Sequence, residues 1–277
     1  LYTPETWYDV GHLDTYHQTT KEFLNAREFN ELQVDTKNVI AKRSEDAKTL
    51  INEIEWYQQI PMDLQPYLPR LYDWSTDISE AYLSMEYIGY TSLADIQLYG
   101  SHGQHIWNGI FHRIFDMVSD FGRYSPDAES AVITEALEEM YLTKTRNRLD
   151  QLRDDPAFAE IFESDCILVN GTAVPSLESV LTQLGAVVRQ ENLLEQESMS
   201  IIHGDLCLPN ILYDPRNEIL KLIDPRGEFG KCTIYGDPRY DLAKLRHSFA
   251  GHYEHLINGH YSASWSAKDG EISYDIQ

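Results

Sequence analysis

The chain has 277 residues, with 22 Lys and Arg against 45 Asp and Glu, a formal net charge of −23. Binding to a phosphate backbone depends on counterion release around clustered Lys and Arg, so this balance, with no basic run of five or more, argues against a nucleic-acid binder and disfavours anionic membrane surfaces. At about 150 residues per domain the length suits one large or two modest domains, and 42% apolar residues suffice for a sizeable core.

Cysteine is sparse and odd in number. Cys166, Cys207 and Cys232 fit neither a zinc spacing nor a disulfide framework, which points to a reducing, cytoplasmic setting. The most apolar stretch, Ile106 to Phe121, is interrupted by Asn108, His112, Arg113 and Asp116, so no membrane insertion is expected. Position 1 is Leu, and Glu271 to Gln277 reads as a strand broken off, so the expectation is a fragment of a longer protein.

After Asp14, a good N-cap residue, Thr15 to Asn25 has helical character. Phe29 to Val34 and Asn38 to Lys42 flank the turn-like Asp35-Thr36-Lys37 and predict an antiparallel hairpin. Ser44 is the expected cap of a helix whose Ala47, Leu50, Ile51, Ile54 and Tyr57 recur at helical spacing until Pro61 stops it. Strands over Leu68 to Trp74 and Ala81 to Tyr87 complete a small sheet carrying one helix. Beyond Gly89 the patterns become long and helical: Ile106 to Val118, Ala131 to Leu152 and Leu177 to Leu194, with a tight Asn170-Gly171 turn between the last two. Short strands return at Ile211 to Tyr213 and Ile219 to Ile223, and a final helix is expected from about Tyr240 to His255.

The chemistry concentrates in Ile201-Ile-His-Gly-Asp-Leu-Cys-Leu-Pro-Asn-Ile-Leu-Tyr213, followed by Leu222-Ile-Asp-Pro-Arg-Gly227. Folding the intervening hairpin brings Asp224 back beside Asn210. Together they offer hard oxygen ligands suited to Mg²⁺ shared with substrate phosphates. Asp205, five positions before Asn210, is placed to accept a proton from an attacking hydroxyl. That division of labour is what phosphoryl transfer needs.

H-G-D-x-x-x-x-N followed by I-D-x-x-G resembles the aminoglycoside phosphotransferase and choline kinase family, the small-molecule relatives of protein kinases. Gly236-Asp-Pro-Arg-Tyr-Asp-Leu-Ala243 is similar to the family segment in which an Asp, here Asp241, braces the catalytic loop. The resemblance implies Asp205 as catalytic base, Asn210 and Asp224 as Mg²⁺ ligands, and His203 as a packing and loop-shaping residue. Val39-Ile-Ala-Lys42 resembles the strand whose Lys meets the α- and β-phosphates and pairs with a helix Glu. Glu53 and Glu55 both lie on the following helix, and Glu53, beside the buried stripe, is the better partner for Lys42. Ser84-Met-Glu-Tyr-Ile-Gly89 resembles the family's strand-to-hinge segment, where backbone groups of Glu86, Tyr87 and Ile88 would bond adenine.

The pattern departs from protein kinases in one respect: no Gly lies between Gly11 and Gly89, so the first hairpin cannot wrap phosphates through a glycine-rich loop. At the amino terminus, Thr6-Trp-Tyr-Asp-Val-Gly-His-Leu-Asp-Thr-Tyr16 is similar to the closing W-x-D-x-G element of sugar nucleotidyltransferases. An amphipathic lead-in helix accounts for it equally well.

The resemblance implies an α+β, two-lobed protein-kinase-like fold. Its parts would be a lead-in segment over 1–27, a β-rich N-lobe with one helix over 28–88, and a mainly helical C-lobe over 89–277 with a helical acceptor-binding insert. The implied activity is transfer of phosphate from ATP, with Mg²⁺, to a hydroxyl of a sugar or amino alcohol; the Thr6 to Tyr16 likeness adds the expectation of surface polysaccharide synthesis with a covalently linked nucleotidyltransferase. A second reading is a catalytically weak module that binds nucleotide or sugar phosphate and regulates such a transferase, against which the intact Asp205, Asn210 and Asp224 set weighs; a third, a protein kinase, is disfavoured by the missing glycine-rich loop and the lack of an A-P-E-like segment.

Overall fold

The computed structural model describes residues 30–34, 38–126, 130–164, 166–194, 199–266 and 270–277. The expected Thr15 to Asn25 helix and the Thr6 to Tyr16 element lie outside them. The chain forms two compact units, one of residues up to 117 with 209–227, the other of 118–208 with 228–277. The first is β-rich and the second mainly helical, the α+β composition expected.

In the first unit, β1 (Asn30–Val34), β2 (Val39–Ser44), β3 (Leu71–Ser75) and β4 (Tyr82–Glu86) form an antiparallel sheet of order β1-β2-β4-β3. Lys42 pairs with Leu32 on one side and Leu83 on the other, so its side chain leaves an interior strand rather than a frayed edge. Helix α1 (Ala47–Gln59) turns Leu50, Glu53, Ile54, Trp56 and Tyr57 inward, the spacing of a helical stripe. Its cap is Asp46, which accepts from the Thr49 N–H at 3.1 Å. The expected cap, Ser44, is still in the strand, paired with Asn30, and only accepts from the Asp46 N–H. A 3₁₀ turn over Met62–Tyr67 delays β3 by three residues beyond the expected start.

The hairpin of β9 (Ile211–Asp214) and β10 (Ile219–Leu222) belongs to this unit and pairs with the short strand β5 (Thr91–Ser92). Ser92 caps α2 (Leu93–Tyr99), and α3 (Gln104–Phe121) follows. Leu222, Ile211 and Leu83 are each 0% exposed, and burying a side chain of this size stabilises the fold by about 1.5–3 kcal/mol.

The second unit holds α4 (Ser130–Glu138) and α5 (Lys144–Arg153), joined by a π-helical turn over Glu139–Thr143 where an unbroken helix was expected. The short helix α6 (Ala159–Glu163) precedes β6 (Cys166–Val169) and β7 (Thr172–Pro175), which meet at the Asn170-Gly171 turn. Helix α7 (Leu177–Gln190), β8 (Ser200–Ile201), β11 (Tyr235–Gly236), α8 (Pro238–Ala250) and α9 (Tyr253–Ile257) follow. Strands β12 (Tyr261–Ser266) and β13 (Glu271–Ile276) extend the β6–β7 sheet. The single helix expected over 240–255 is broken at Gly251 and His252, the latter left-handed with φ 51.

The unit's core gathers Ile133, Ala136, Leu137, Met140, Met199 and Ile202 around Phe229, with Tyr141 and Tyr240 edge-on to its ring. Tyr141 donates to Asp237, the wholly buried N-cap of α8, at 2.7 Å.

Candidate active site

Lys42 lies two residues before the end of strand β2 and five before the start of α1, so strand and helix are adjacent by chain connection and packing. Lys42 Nζ donates to Glu53 Oε2 at 2.7 Å and to Asp224 Oδ1 at 2.9 Å. Of the two glutamates weighed, the helix turns Glu53 to the lysine. The Lys42 and Glu53 side chains are 11% and 4% exposed, whereas Asp224 is 47% exposed and keeps contact with solvent.

Burial opposes charge on both inner partners. For Lys42 the attraction of Glu53 and then Asp224 more than offsets it, so the ammonium is held above its ordinary pKa. Glu53 feels one favourable ammonium against burial and the repulsion of Asp224, and its carboxyl is pushed up. Both directions describe one charge cluster with two carboxylates and one cation, in which the ammonium is the secure member. Tyr57, one turn beyond Glu53, is 2% exposed, and burial pushes its hydroxyl up, so it stays neutral beside these carboxylates.

Asp224 follows β10 with φ 55, a left-handed conformation that Asp tolerates better than most residues. The N–H of Ile223 donates to the Asn210 carbonyl at 3.0 Å, continuing the β9–β10 pairing and setting Asn210 and Asp224 at neighbouring ends of one hairpin. An amide oxygen and a carboxylate are hard donors of the kind Mg²⁺ accepts, and Asp224 is exposed enough to reach a solvated ion. The residues present therefore fit a magnesium-bound nucleotide phosphate.

In the second unit the chain from Ile201 leaves β8 into the His203-Gly204-Asp205 turn. Asp241, in the first turn of α8, accepts from the His203 N–H at 2.7 Å and the Gly204 N–H at 2.9 Å. Its carboxyl is pushed up to about 7, burial outweighing these two donors, which favour the ionised form. His203 is 1% exposed, and its Nδ1 accepts from the Asp205 N–H at 3.3 Å, so its ring shapes the turn. Asp205 Oδ1 lies 2.7 Å from Lys244 Nζ.

In the hinge-like segment two N–H groups are already engaged: that of Glu86 donates to the Arg70 carbonyl and that of Tyr87 to the Asn38 carbonyl, each at 2.8 Å. The Glu86 carboxylate accepts from the Arg70 N–H at 3.2 Å. Of the three residues singled out, Glu86 and Tyr87 thus have their N–H groups bonded within the chain.

The sequence motifs do not include Lys244, and Tyr57 enters them only as a position of the apolar stripe. A helical signal pointed to both: Lys244 is three residues after Asp241, and Tyr57 four after Glu53. Reading every polar residue on those two faces would have found them.

The sequence profile of the phosphotransferase enzyme family, APH, matches residues 20–270. The chain belongs to that family. Among solved structures it is similar to aminoglycoside phosphotransferase APH(3'')-Id from Streptomyces rimosus in complex with ADP and streptomycin, at 20% identity, 90% of each chain and a TM-score of 0.49. It is also similar to APH(2'')-IIa in a ternary complex with streptomycin and ATP, at 13% identity, 85% of this chain, 75% of the other and a TM-score of 0.45. A third is the type VIII aminoglycoside-3'-phosphotransferase, at 17% identity, 86% of each chain and a TM-score of 0.43. No curated relative matches the chain. Among the described residues no helix is long and apolar enough to cross a membrane.

Proposed function

We propose that this phosphotransferase is a small-molecule kinase that moves the γ-phosphoryl group of ATP to a hydroxyl of a sugar or amino alcohol, aminoglycosides included. The observation carrying this reading is the buried Lys42–Glu53 pair with Asp224 on its open side, inside a chain of the phosphotransferase family. Lys42, oriented by Glu53, meets the nucleotide's α- and β-phosphates, and Ile88 offers its N–H to the base. Asn210 and Asp224 would hold Mg²⁺, which when bound would supply neutralisation of the phosphate charge. Asp205 accepts the hydroxyl proton as the oxygen attacks, and Asp241 keeps the turn that carries it in shape.

The surplus of 45 acidic over 22 basic residues favours a neutral or cationic acceptor over a polyanion. A place in surface polysaccharide synthesis beside a linked nucleotidyltransferase rests on the Thr6 to Tyr16 likeness alone.

Incubation with Mg·ATP and a panel of aminoglycosides, sugars, choline and polyols, followed by phosphorus NMR, should show acceptor-dependent ADP. Asp205→Asn should lower that turnover about 10²- to 10⁴-fold, the usual worth of a positioned base. ADP release indifferent to every acceptor, or an Asp205→Asn enzyme as fast as the parent, would defeat the reading. Asp224→Ala should abolish the magnesium-dependent part of nucleotide affinity while leaving the thermal midpoint within a few degrees, since the side chain is solvent-accessible; calorimetric titration with and without Mg²⁺ checks it.

A further inference from the structure

One face of α8 addresses the catalytic turn residue by residue. Asp241, Lys244 and Ser248 are spaced i, i+3, i+7 and therefore form a single stripe. Asp241 takes the N–H groups of His203 and Gly204, Lys244 takes the carboxylate of Asp205, and Ser248 Oγ accepts from the N–H of Leu208 at 3.4 Å. Ser248 in turn donates to Glu254 Oε1 at 2.7 Å, and both residues are 0% exposed. The backbone on either side of Asp205 is thus fastened to a rigid helix, and Lys244 is the stripe's contact with the side chain itself. The loop supplies no cation of its own: Leu206-Cys-Leu-Pro209 follows Asp205.

We propose, building on the function assigned above, that Lys244 is a positioning residue for the base Asp205. By occupying Oδ1 it stops rotation of the carboxylate about its terminal bond, which is otherwise broad and nearly two-fold, and presents Oδ2 to the acceptor hydroxyl. Ion pairs this exposed, with side chains 26% and 32% accessible, contribute little to stability, so the effect of Lys244 is to fix geometry. Misplacing a reacting group by about 1 Å can cost on the order of 10²-fold in rate.

The test compares Lys244→Met, Lys244→Arg and Asp205→Asn with the parent in steady-state kinetics on its best acceptor. Lys244→Met is expected to lower kcat about 10- to 100-fold while KM for ATP and calorimetric nucleotide affinity stay within about 2-fold, and Lys244→Arg, which keeps the charge and the reach, should recover most of the loss. A Lys244→Met enzyme with parental kcat, or one whose loss appears in nucleotide affinity, overturns the proposal. So does a loss of rate in both variants matched by loss of folded protein on thermal melting. If Asp205→Asn is inactive and Lys244→Met is fully active, this inference fails alone; if Asp205→Asn is itself fully active, the assignment of the base fails with it.

Discussion

Lys42→Met should destabilise the folded chain by about 3–5 kcal/mol at alkaline pH, where it strands the Glu53 carboxylate at 4% exposure without its ammonium. The loss should depend on pH in a defined direction. Burial already holds the Glu53 carboxyl above its unfolded value, and removing the cation raises it further. A group whose folded pKa is raised contributes stability that is present below the unfolded pKa and lost as pH rises through the folded one. With Lys42 present the carboxyl is pushed up to about 7, so the gap between variant and parent should be nearly level up to about pH 6 and widen as pH rises through and above 7. Urea denaturation at a series of pH values reads it directly, and a gap of constant size would contradict the picture of a buried ion pair. Lys42→Met combined with Glu53→Gln removes both charges and should recover more than half of the lost stability at pH 8. It should recover none of the nucleotide affinity, since the amide cannot stand in for the ammonium at a phosphate.

Gly227→Ala should be nearly as damaging, for a different physical reason. A Cβ at this position would lie 2.0 Å from the Asn52 carbonyl oxygen and 2.9 Å from the Glu53 nitrogen, both backbone atoms of α1, and φ is +71. The loop that carries Asp224 thus seats its last residue directly on the turn of helix that carries Glu53. Backbone cannot step aside as a side-chain tip does, so either the loop lifts or the helix moves. Overpacking and left-handed strain together should cost about 3 kcal/mol or more, with loss of magnesium-dependent nucleotide binding as Asp224 shifts. Gly171→Ala serves as the control. It has a similar φ of +75 with nothing within 4 Å of the added carbon, so it should show only the conformational part, about 1–2 kcal/mol. Equal losses at the two positions would mean that the contact with α1 does not matter.

Much of this site could be read from local pattern. His203, Asp205, Asn210 and Asp224 fall in short motifs whose spacing is set by a turn and a two-strand hairpin, and such geometry varies little from one chain to another. The inward stripe of α1 follows from a 3.6-residue period, and the apolar run before Lys42 from strand alternation. The errors lie where neighbours compete for the same residue. Ser44 has the chemistry of a helix cap, yet pairing with Asn30 keeps it in β2 and hands the cap to Asp46. The expected helix over 240–255 carries a continuous pattern, but left-handed His252 after Gly251 breaks it, and Ser248 before the break donates to Glu254 beyond it.

The resemblance carried by motif order and spacing was enough to reach the family and the α+β class, because such motifs depend on residues close together along the chain. The contact of Gly227 with α1, the convergence of Asp224 on the Lys42–Glu53 pair and the hold of Lys244 on Asp205 join positions tens to nearly two hundred residues apart. No local propensity encodes such distances. They arise when buried surfaces are packed against one another, and packing is a property of the folded chain as a whole.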